Sequence, residues 1–351
     1  MTIFFCSRCD APLTVELSRV ALPVTAGQSH GYGLLTTLTE PGTFAVDPFP
    51  SAPPWRRDDG APMPGSRDDG ALVRLLPGGP AGRILIAPGD LRGAEFIPDR
   101  LAGRCCGLDG SAGPNLACER CGTPVATRVD DCGSWQAVWL DPRTVHGTGD
   151  PGRLLDWPDA LRDRPGRPPI GPDGYTDPIW EAAAGATLAR LLVAADGRPV
   201  IPRDGTEVFS TALDTLLTAF PPQPAARLEP LTLAPAGPGL PPADAGLVMV
   251  PEHPQTGEPW LPTDTAATPI PLTCDVWIHL AFPRHRRAVP GSGETSPAIL
   301  RDDPQPPLRG WPVRPDRAVF RRTLARLIDA DSSHLQAIHT RTAQWPMIRP
   351  F

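Results

Sequence analysis

The sequence predicts an α+β protein with two domains, a β-rich domain at residues 1–150 and a mixed α+β domain at residues 151–351. Three observations predict this class. Short apolar segments parted by Gly, Pro and Asp fill the first half, which is typical of strands. Apolar residues recur at helical spacing in parts of the second half. The 49 prolines and 34 glycines among 351 residues predict long loops between short elements.

The strands of the first domain are predicted from short apolar runs. Four runs predict a β-meander over residues 2–48: Ile3 to Phe5, Leu13 to Val24, Gly33 to Leu38 and Thr43 to Val46. Three later runs predict further strands: Ala71 to Leu76, Arg83 to Ala87 and Trp135 to Leu140. Residues 141–177 are rich in Pro, Gly and Asp, which places the domain boundary near residue 150.

The second domain is predicted from helical periodicity and from its prolines. Pro178 to Ala195 and a run beginning at Thr206 predict amphipathic helices, and Asp316 is suited to cap a third helix. Residues 221–245 hold so many prolines that they predict a linker or a long ordered loop. Leu247 to Val250 and the alternating segment Leu272 to Phe282 predict a pair of buried strands.

Composition and charge exclude some classes of function. The chain contains no lysine, and its formal net charge of −6 argues against broad nucleic-acid binding, which requires many phosphates to be neutralised. No segment approaches the roughly 20 apolar residues of a membrane helix, and the first residues lack the pattern of a signal peptide. We therefore expect a cytoplasmic protein whose eight cysteines are reduced.

Two Cys-x-x-Cys pairs carry the strongest chemical signal. They are Cys6-Ser7-Arg8-Cys9 and Cys118-Glu119-Arg120-Cys121, and each follows a possible strand and precedes a turn-forming residue, Asp10 or Gly122. A tight turn of this kind, a zinc knuckle, directs two sulfurs at one metal ion, and two knuckles complete a closed tetrahedral site for a structural Zn²⁺.

The knuckles and their flanking strands resemble the zinc-ribbon family of small β-modules. The resemblance implies that Cys6, Cys9, Cys118 and Cys121 hold one structural Zn²⁺. About a hundred residues separate the knuckles, where a ribbon commonly has roughly 15–20, so the resemblance also implies a large β insertion. The segment from Cys105 to Cys132 resembles stretches of uncharacterised proteins from high-GC bacteria. This resemblance gives no information about activity.

Two other ligand sets remain open at this stage. One is a local set drawn from Cys105 or Cys106, Cys118, Cys121 and Cys132. The other divides the cysteines between two metal sites, with His146 as a nitrogen ligand.

The motifs of catalysis and nucleotide binding are weak. Gly147 to Gly152 fits GxGxxG, but Pro151 and the surrounding loop residues supply no βαβ unit. Gly27 to Gly31 fits G-x-S-x-G, with Ser29 as the nucleophile, but a strand pattern follows where a helix is needed. The sequence therefore leaves the catalytic residues unknown and predicts no organic cofactor.

The resulting functional hypothesis is a non-enzymatic binding or scaffold module, with another protein as its expected partner. One alternative is an enzyme whose pocket leaves no linear motif, with tryptophans such as Trp135, Trp139, Trp260, Trp277 and Trp311 lining a groove. The other is a nucleic-acid-binding protein. The sequence predicts no oligomeric state.

Overall fold

The computed structural model describes residues 1–28, 35–49, 80–101, 103, 107–150, 152–170, 176–203, 205–221, 229–262, 266–282, 313–328, 332–344 and 351. Strands lie mostly in the first half and helices mainly toward the carboxyl terminus, which confirms the α+β class. The chain forms two compact units, Met1–Leu155 with Pro254–Gly257 and Asp156–His253 with Glu258–Phe351. No helix of the described part combines the length and the apolarity needed to cross a membrane.

The first unit is built from strands. In the described ranges they are β1 Thr2–Cys6, β2 Ser18–Arg19, β3 Thr43–Asp47, β4 Arg83–Ile86, β5 Ala94–Phe96, β6 Leu116–Cys118, β7 Pro124–Val129, β8 Ala137–Leu140 and β9 Val145–Gly149. Seven of them form one sheet in the order β2-β3-β4-β8-β7-β6-β5, and β1 pairs with β9 in an antiparallel ribbon. All neighbours in the large sheet are antiparallel except β2 and β3.

The centre of the large sheet is buried on both faces. Successive side chains of a strand point to opposite faces, so Ile84 and Ile86 of β4 pack in one apolar cluster and Leu85 packs in another. Trp139 of β8 packs in the same cluster as Leu85. The guanidinium carbon of Arg83 lies over the Trp139 ring, 4.6 Å from the ring centroid. The cluster that contains Ile84 also contains Cys6 and Cys118, so one face of this sheet supports the cysteine pairs.

The predicted β-meander over residues 2–48 is wrong in topology. β1 pairs with β9, about 140 residues later, and β2 runs parallel to β3, so neither pairing is the antiparallel hairpin of a meander. The run from Leu13 to Val24 contributes only β2 and isolated bridges, because its residues also pair with Thr2 and Leu91. Part of the Gly33 to Leu38 run, and all of Ala71 to Leu76, lie outside the described residues.

The second unit combines helices with a parallel sheet. Its described elements are α1 Trp157–Leu161, α2 Pro178–Ala195, β10 Val200–Pro202, α3 Glu207–Ala219, β11 Leu231–Pro235, β12 Leu247–Pro251, β13 Thr268–Leu272, α4 Cys274–Ala281, α5 Arg317–Leu327 and α6 Ser333–Gln344. The sheet has the order β10-β11-β12-β13, and every neighbouring pair is parallel.

Helix α2 forms the centre of this unit. The Asp177 carboxylate accepts a hydrogen bond from the Ile179 N–H at the first turn of α2. Twelve of the eighteen residues of α2 are buried. Helix α5 packs closely against it at Gly185, where an added Cβ would lie 2.4 Å from the Asp316 carbonyl oxygen. A nearly all-apolar helix of this kind is expected inside a layered unit.

Two predictions for the second unit are wrong. The segment Leu272 to Phe282 is not a strand, because α4 begins at Cys274, and seven of its eight residues are buried. The Trp277 indole N–H donates to the carbonyl oxygens of Ala236 and Met249, which fixes this helix on the sheet. The proposed linker 221–245 contains β11, an inner strand of the sheet.

Candidate metal centre

The first cysteine pair lies at the end of β1. The Cys6 N–H donates to the Ala11 carbonyl oxygen at 2.9 Å, and the Asp10 N–H donates to the Cys6 carbonyl oxygen at 2.9 Å. These bonds close a tight turn around Ser7 and Arg8. Asp10 has a φ of 57°, a left-handed conformation that aspartate tolerates better than most residues.

The second pair lies at the end of β6 and has the same backbone pattern. The Cys118 N–H donates to the Thr123 carbonyl oxygen, and the Gly122 N–H donates to the Cys118 carbonyl oxygen, both at 2.8 Å. Gly122 takes the left-handed position with a φ of 68°. The two pairs are therefore equivalent knuckles, and each turns on the residue after its second cysteine.

A short segment around Gly93 holds the two knuckles together. The Arg92 N–H donates to the Leu13 carbonyl oxygen at 2.8 Å, on the return segment of the first knuckle. The Glu119 N–H of the second knuckle donates to the Gly93 carbonyl oxygen at 3.1 Å. Gly93 has no room for a side chain, because an added Cβ would lie 2.3 Å from the Pro12 carbonyl oxygen.

The four sulfur atoms form one compact group. The Sγ atoms of Cys6, Cys9, Cys118 and Cys121 all lie within 4.8 Å of one another. Cys6 and Cys121 are 3.6 Å apart at sulfur, and so are Cys9 and Cys118. A disulfide would bring two sulfurs to about 2.05 Å, whereas Zn–S bonds of about 2.3 Å in a regular tetrahedron place sulfurs about 3.8 Å apart. The spacing therefore fits a four-sulfur metal site.

Hydrogen bonds and burial act differently on the four thiols. The hydroxyl and backbone N–H of Thr123 stabilise the Cys121 thiolate and lower its pKa to about 6. Burial raises the pKa of Cys9 to about 12 against a hydrogen bond from the Ala11 backbone, and burial also raises the pKa of Cys118. These shifts favour a thiolate at Cys121 and protonated thiols at Cys9 and Cys118. A cation that binds all of these sulfurs must therefore displace the thiol protons.

The donor set indicates which chemistry the group can support. Cys6 and Cys118 are buried, Cys9 and Cys121 are half-buried, and all four are free thiols. Four thiolate donors favour a soft or borderline cation in tetrahedral geometry. A catalytic zinc site usually has three protein ligands and an open position for water, whereas four sulfurs fill the coordination shell. The arrangement is suited to holding an ion rather than activating a substrate.

Two of the other candidate ligands, Cys132 and His146, lie outside this group. Cys132 is not part of it, and Cys105 and Cys106 lie outside the described residues. His146 pairs with Asp10 through its Nε2 atom at 3.2 Å and stacks on Phe5. Within the described ranges, no other group of three or more His, Cys, Asp or Glu residues brings its ligand atoms together in this way.

The weaker motifs have structural places or cannot be placed. The GxGxxG match falls largely on β9, which pairs with β1 and leads into no helix. Ser29 and Trp311 lie outside the described residues. Trp139 and Trp277 are almost completely buried, each in the core of its own unit.

Sequence reasoning did not identify the residues that support the knuckles from outside. Thr123 follows Cys121 by two residues, which is a local signal that a search for thiolate hydrogen-bond donors would detect. Gly93 carries no such signal, because its role depends on contacts with two distant segments.

Comparison with protein-family models, with curated proteins and with solved structures gave no match for this chain.

Proposed function

We propose that Cys6, Cys9, Cys118 and Cys121 bind one structural Zn²⁺ and that the protein is a non-enzymatic binding or scaffold module. The single observation that carries the proposal is the convergence of four cysteine sulfurs, from two equivalent knuckles, at distances that suit a tetrahedral ion. Bound zinc would supply four strong bonds at this point and no reactive position.

The sheet architecture supports a structural role. The first knuckle ends β1, which lies outside the seven-stranded sheet, while the second knuckle ends β6, which lies within it. An ion at the four sulfurs therefore joins the β1–β9 ribbon to the large sheet. It acts together with the Arg92 and Glu119 backbone hydrogen bonds, which span the same gap.

The choice of zinc follows from the donor chemistry. Tetrahedral sites with four sulfurs hold zinc or iron, and zinc is the usual ion of structural sites with this ligand set. Elemental analysis of protein purified without chelator should find one zinc and no stoichiometric iron per chain. Replacement with Co²⁺ should produce the visible absorption of a tetrahedral cobalt thiolate.

A matched pair of variants tests the ligand assignment. Cys9→Ser and Cys132→Ser each replace a half-buried cysteine of the first unit, but only Cys9 belongs to the sulfur group. We expect Cys9→Ser to lose the zinc and Cys132→Ser to retain it. Zinc loss from Cys132→Ser with full zinc in Cys9→Ser would assign the ion to the segment around residues 105–132 instead.

A further inference from the structure

Arginine side chains on α5 form a positively charged group in the second unit. Arg317 and Arg321 are four residues apart, so they lie on the same side of the helix. Arg321 is half-buried, and its Nε–H donates to the His339 carbonyl oxygen of α6 at 3.2 Å. In the described part of the chain this is its only hydrogen bond, and it forms no ion pair there. The Nη groups of the guanidinium therefore have no protein acceptor among these residues.

Two other half-buried arginines of the same unit, Arg167 and Arg190, are paired with carboxylates. Arg167 contacts Asp275 at 2.7 Å and Asp177 at 2.9 Å. Arg190 contacts Glu252 at 2.6 Å. Burial of a charge normally requires such a partner, because desolvation is costly. Arg321 lacks the partner that these arginines have.

The electrostatic environment of Arg321 is positive. Burial and, second, the neighbouring Arg317 together lower the pKa of its guanidinium to about 10. The pKa of His339 falls to about 4, first because the ring is buried and second because Arg321 lies close to it. Arg317 therefore disfavours the protonated form of Arg321, and Arg321 disfavours the protonated form of His339.

The acidic residues near the start of α5 act elsewhere. Asp316 accepts a hydrogen bond from the Val319 N–H and so caps the helix. The carboxylate of Glu181 interacts with Asp316, Arg314 and Asp177.

We propose that Arg321 binds a small oxyanion, with inorganic phosphate as its simplest representative. A guanidinium presents parallel N–H donors that match two oxygens of a phosphate or carboxylate, and such charge-assisted pairs are stronger where water is partly excluded. The anion would take the place that a carboxylate takes at Arg167 and Arg190.

Thermal unfolding of the full chain tests the site with phosphate as the probe. Phosphate at about ten times its dissociation constant should raise the unfolding midpoint of the second unit by about 3 °C over sodium chloride of equal ionic strength. Arg321→Gln should abolish this rise. Arg198→Gln should retain it, because Arg198 also donates through Nε to one backbone carbonyl oxygen at 3.2 Å but lies outside the cluster.

A second variant and NMR measurements on the unmodified protein test the same site if Arg321→Gln fails to fold. Arg321→Lys keeps the charge without the fork and should weaken phosphate binding at least tenfold. In the unmodified protein, phosphate should shift the Arg321 Nε–H resonance and raise the pKa of His339, both measurable by NMR. Acetate and sulfate arms define which oxyanions bind. Equal phosphate stabilisation of Arg321→Gln and the unmodified protein, or no response at the Arg321 resonance, would overturn the proposal.

Discussion

Replacing Cys121 with serine should remove most of the stability that the proposed Zn²⁺ would give to the first unit. Cys9 and Cys118, whose sulfurs face each other in the site, are separated by 109 positions. A metal that gathered both pairs in the unfolded chain would have to close a loop of that length, at a cost of about 4–5 kcal/mol in the chain-entropy model. The folded protein has already closed it. Saturating zinc should therefore favour the folded state by about this amount.

The assay is a cycle of metal and mutation. Hydrogen-exchange mass spectrometry of β8 peptides reports the free energy of unfolding of the sheet that supports the site. The free energy of unfolding should be about 4–5 kcal/mol higher for the unmodified protein with zinc than for the same protein after chelation. Cys121→Ser should show a difference below about 1 kcal/mol, because a serine oxygen is a poor replacement for a thiolate.

Cys132→Ser is the control, since it changes a half-buried cysteine of the same unit outside the sulfur group. It should keep the full difference between the zinc-bound and chelated states. The reasoning is refuted if Cys121→Ser retains both one zinc per chain and the protection that zinc gives to β8.

Three further predictions concern single positions. Gly93→Ala should lower zinc content and cost the first unit about 2–3 kcal/mol, because the new Cβ would meet the Pro12 carbonyl oxygen at 2.3 Å; metal analysis and urea unfolding measure both, and two unchanged values would contradict it. Thr187→Val should stabilise the second unit by about 1 kcal/mol in urea unfolding, since its buried hydroxyl has no hydrogen-bond partner in the described residues; a loss of stability would show otherwise. Burial and the nearby Asp316 raise the pKa of Glu181 to about 7, so the contribution of Glu181 to the stability of the second unit is most favourable below the ordinary glutamate pKa and is lost as pH rises toward 7. After allowance for solvent screening, the free energy of unfolding of Glu181→Gln should be about 1–2 kcal/mol higher than that of the unmodified protein at pH 8 and equal to it at pH 4. Equal stability of the two proteins at both pH values would contradict the raised pKa of Glu181.

Helices with clear amino-terminal signals could be predicted from the sequence. Asp177 and Pro178 mark the start of α2, and the helix spans the predicted residues. The predicted cap at Asp316 is confirmed, because its carboxylate accepts a hydrogen bond from the Val319 N–H. These signals act within one helical turn, so they do not depend on the rest of the fold.

The segment that forms α4 could not be predicted in the same way. Val276, Ile278 and Leu280 alternate with other residues as in a strand, yet His279 and Trp277 between them are also buried. A helix that is enclosed on nearly every side shows no polar face, so its periodicity disappears from the sequence. Its packing against the sheet decides the conformation, and that contact is not local.

The candidate site divides along the same line. Each knuckle could be predicted from its own residues, because Asp10 and Gly122 provide the left-handed turn that follows the second cysteine. Which sulfurs converge was left open among several ligand sets. The segment around Gly93 contacts both knuckles and so helps to bring them together. Its own sequence does not indicate which two segments it contacts.

The pairing of β1 with β9 and of one knuckle with the other has a consequence for the order of events during synthesis. Chains grow at about 5–20 residues per second, so the 109 positions from Cys9 to Cys118 take about 5–20 s to translate. For that time Cys6 and Cys9 would offer the proposed ion only half of its ligands. The partner strand β9 is made later still, beginning at Val145. We therefore expect β1 and its knuckle, although they are synthesised before β9, to be among the last elements of their unit to reach their final positions.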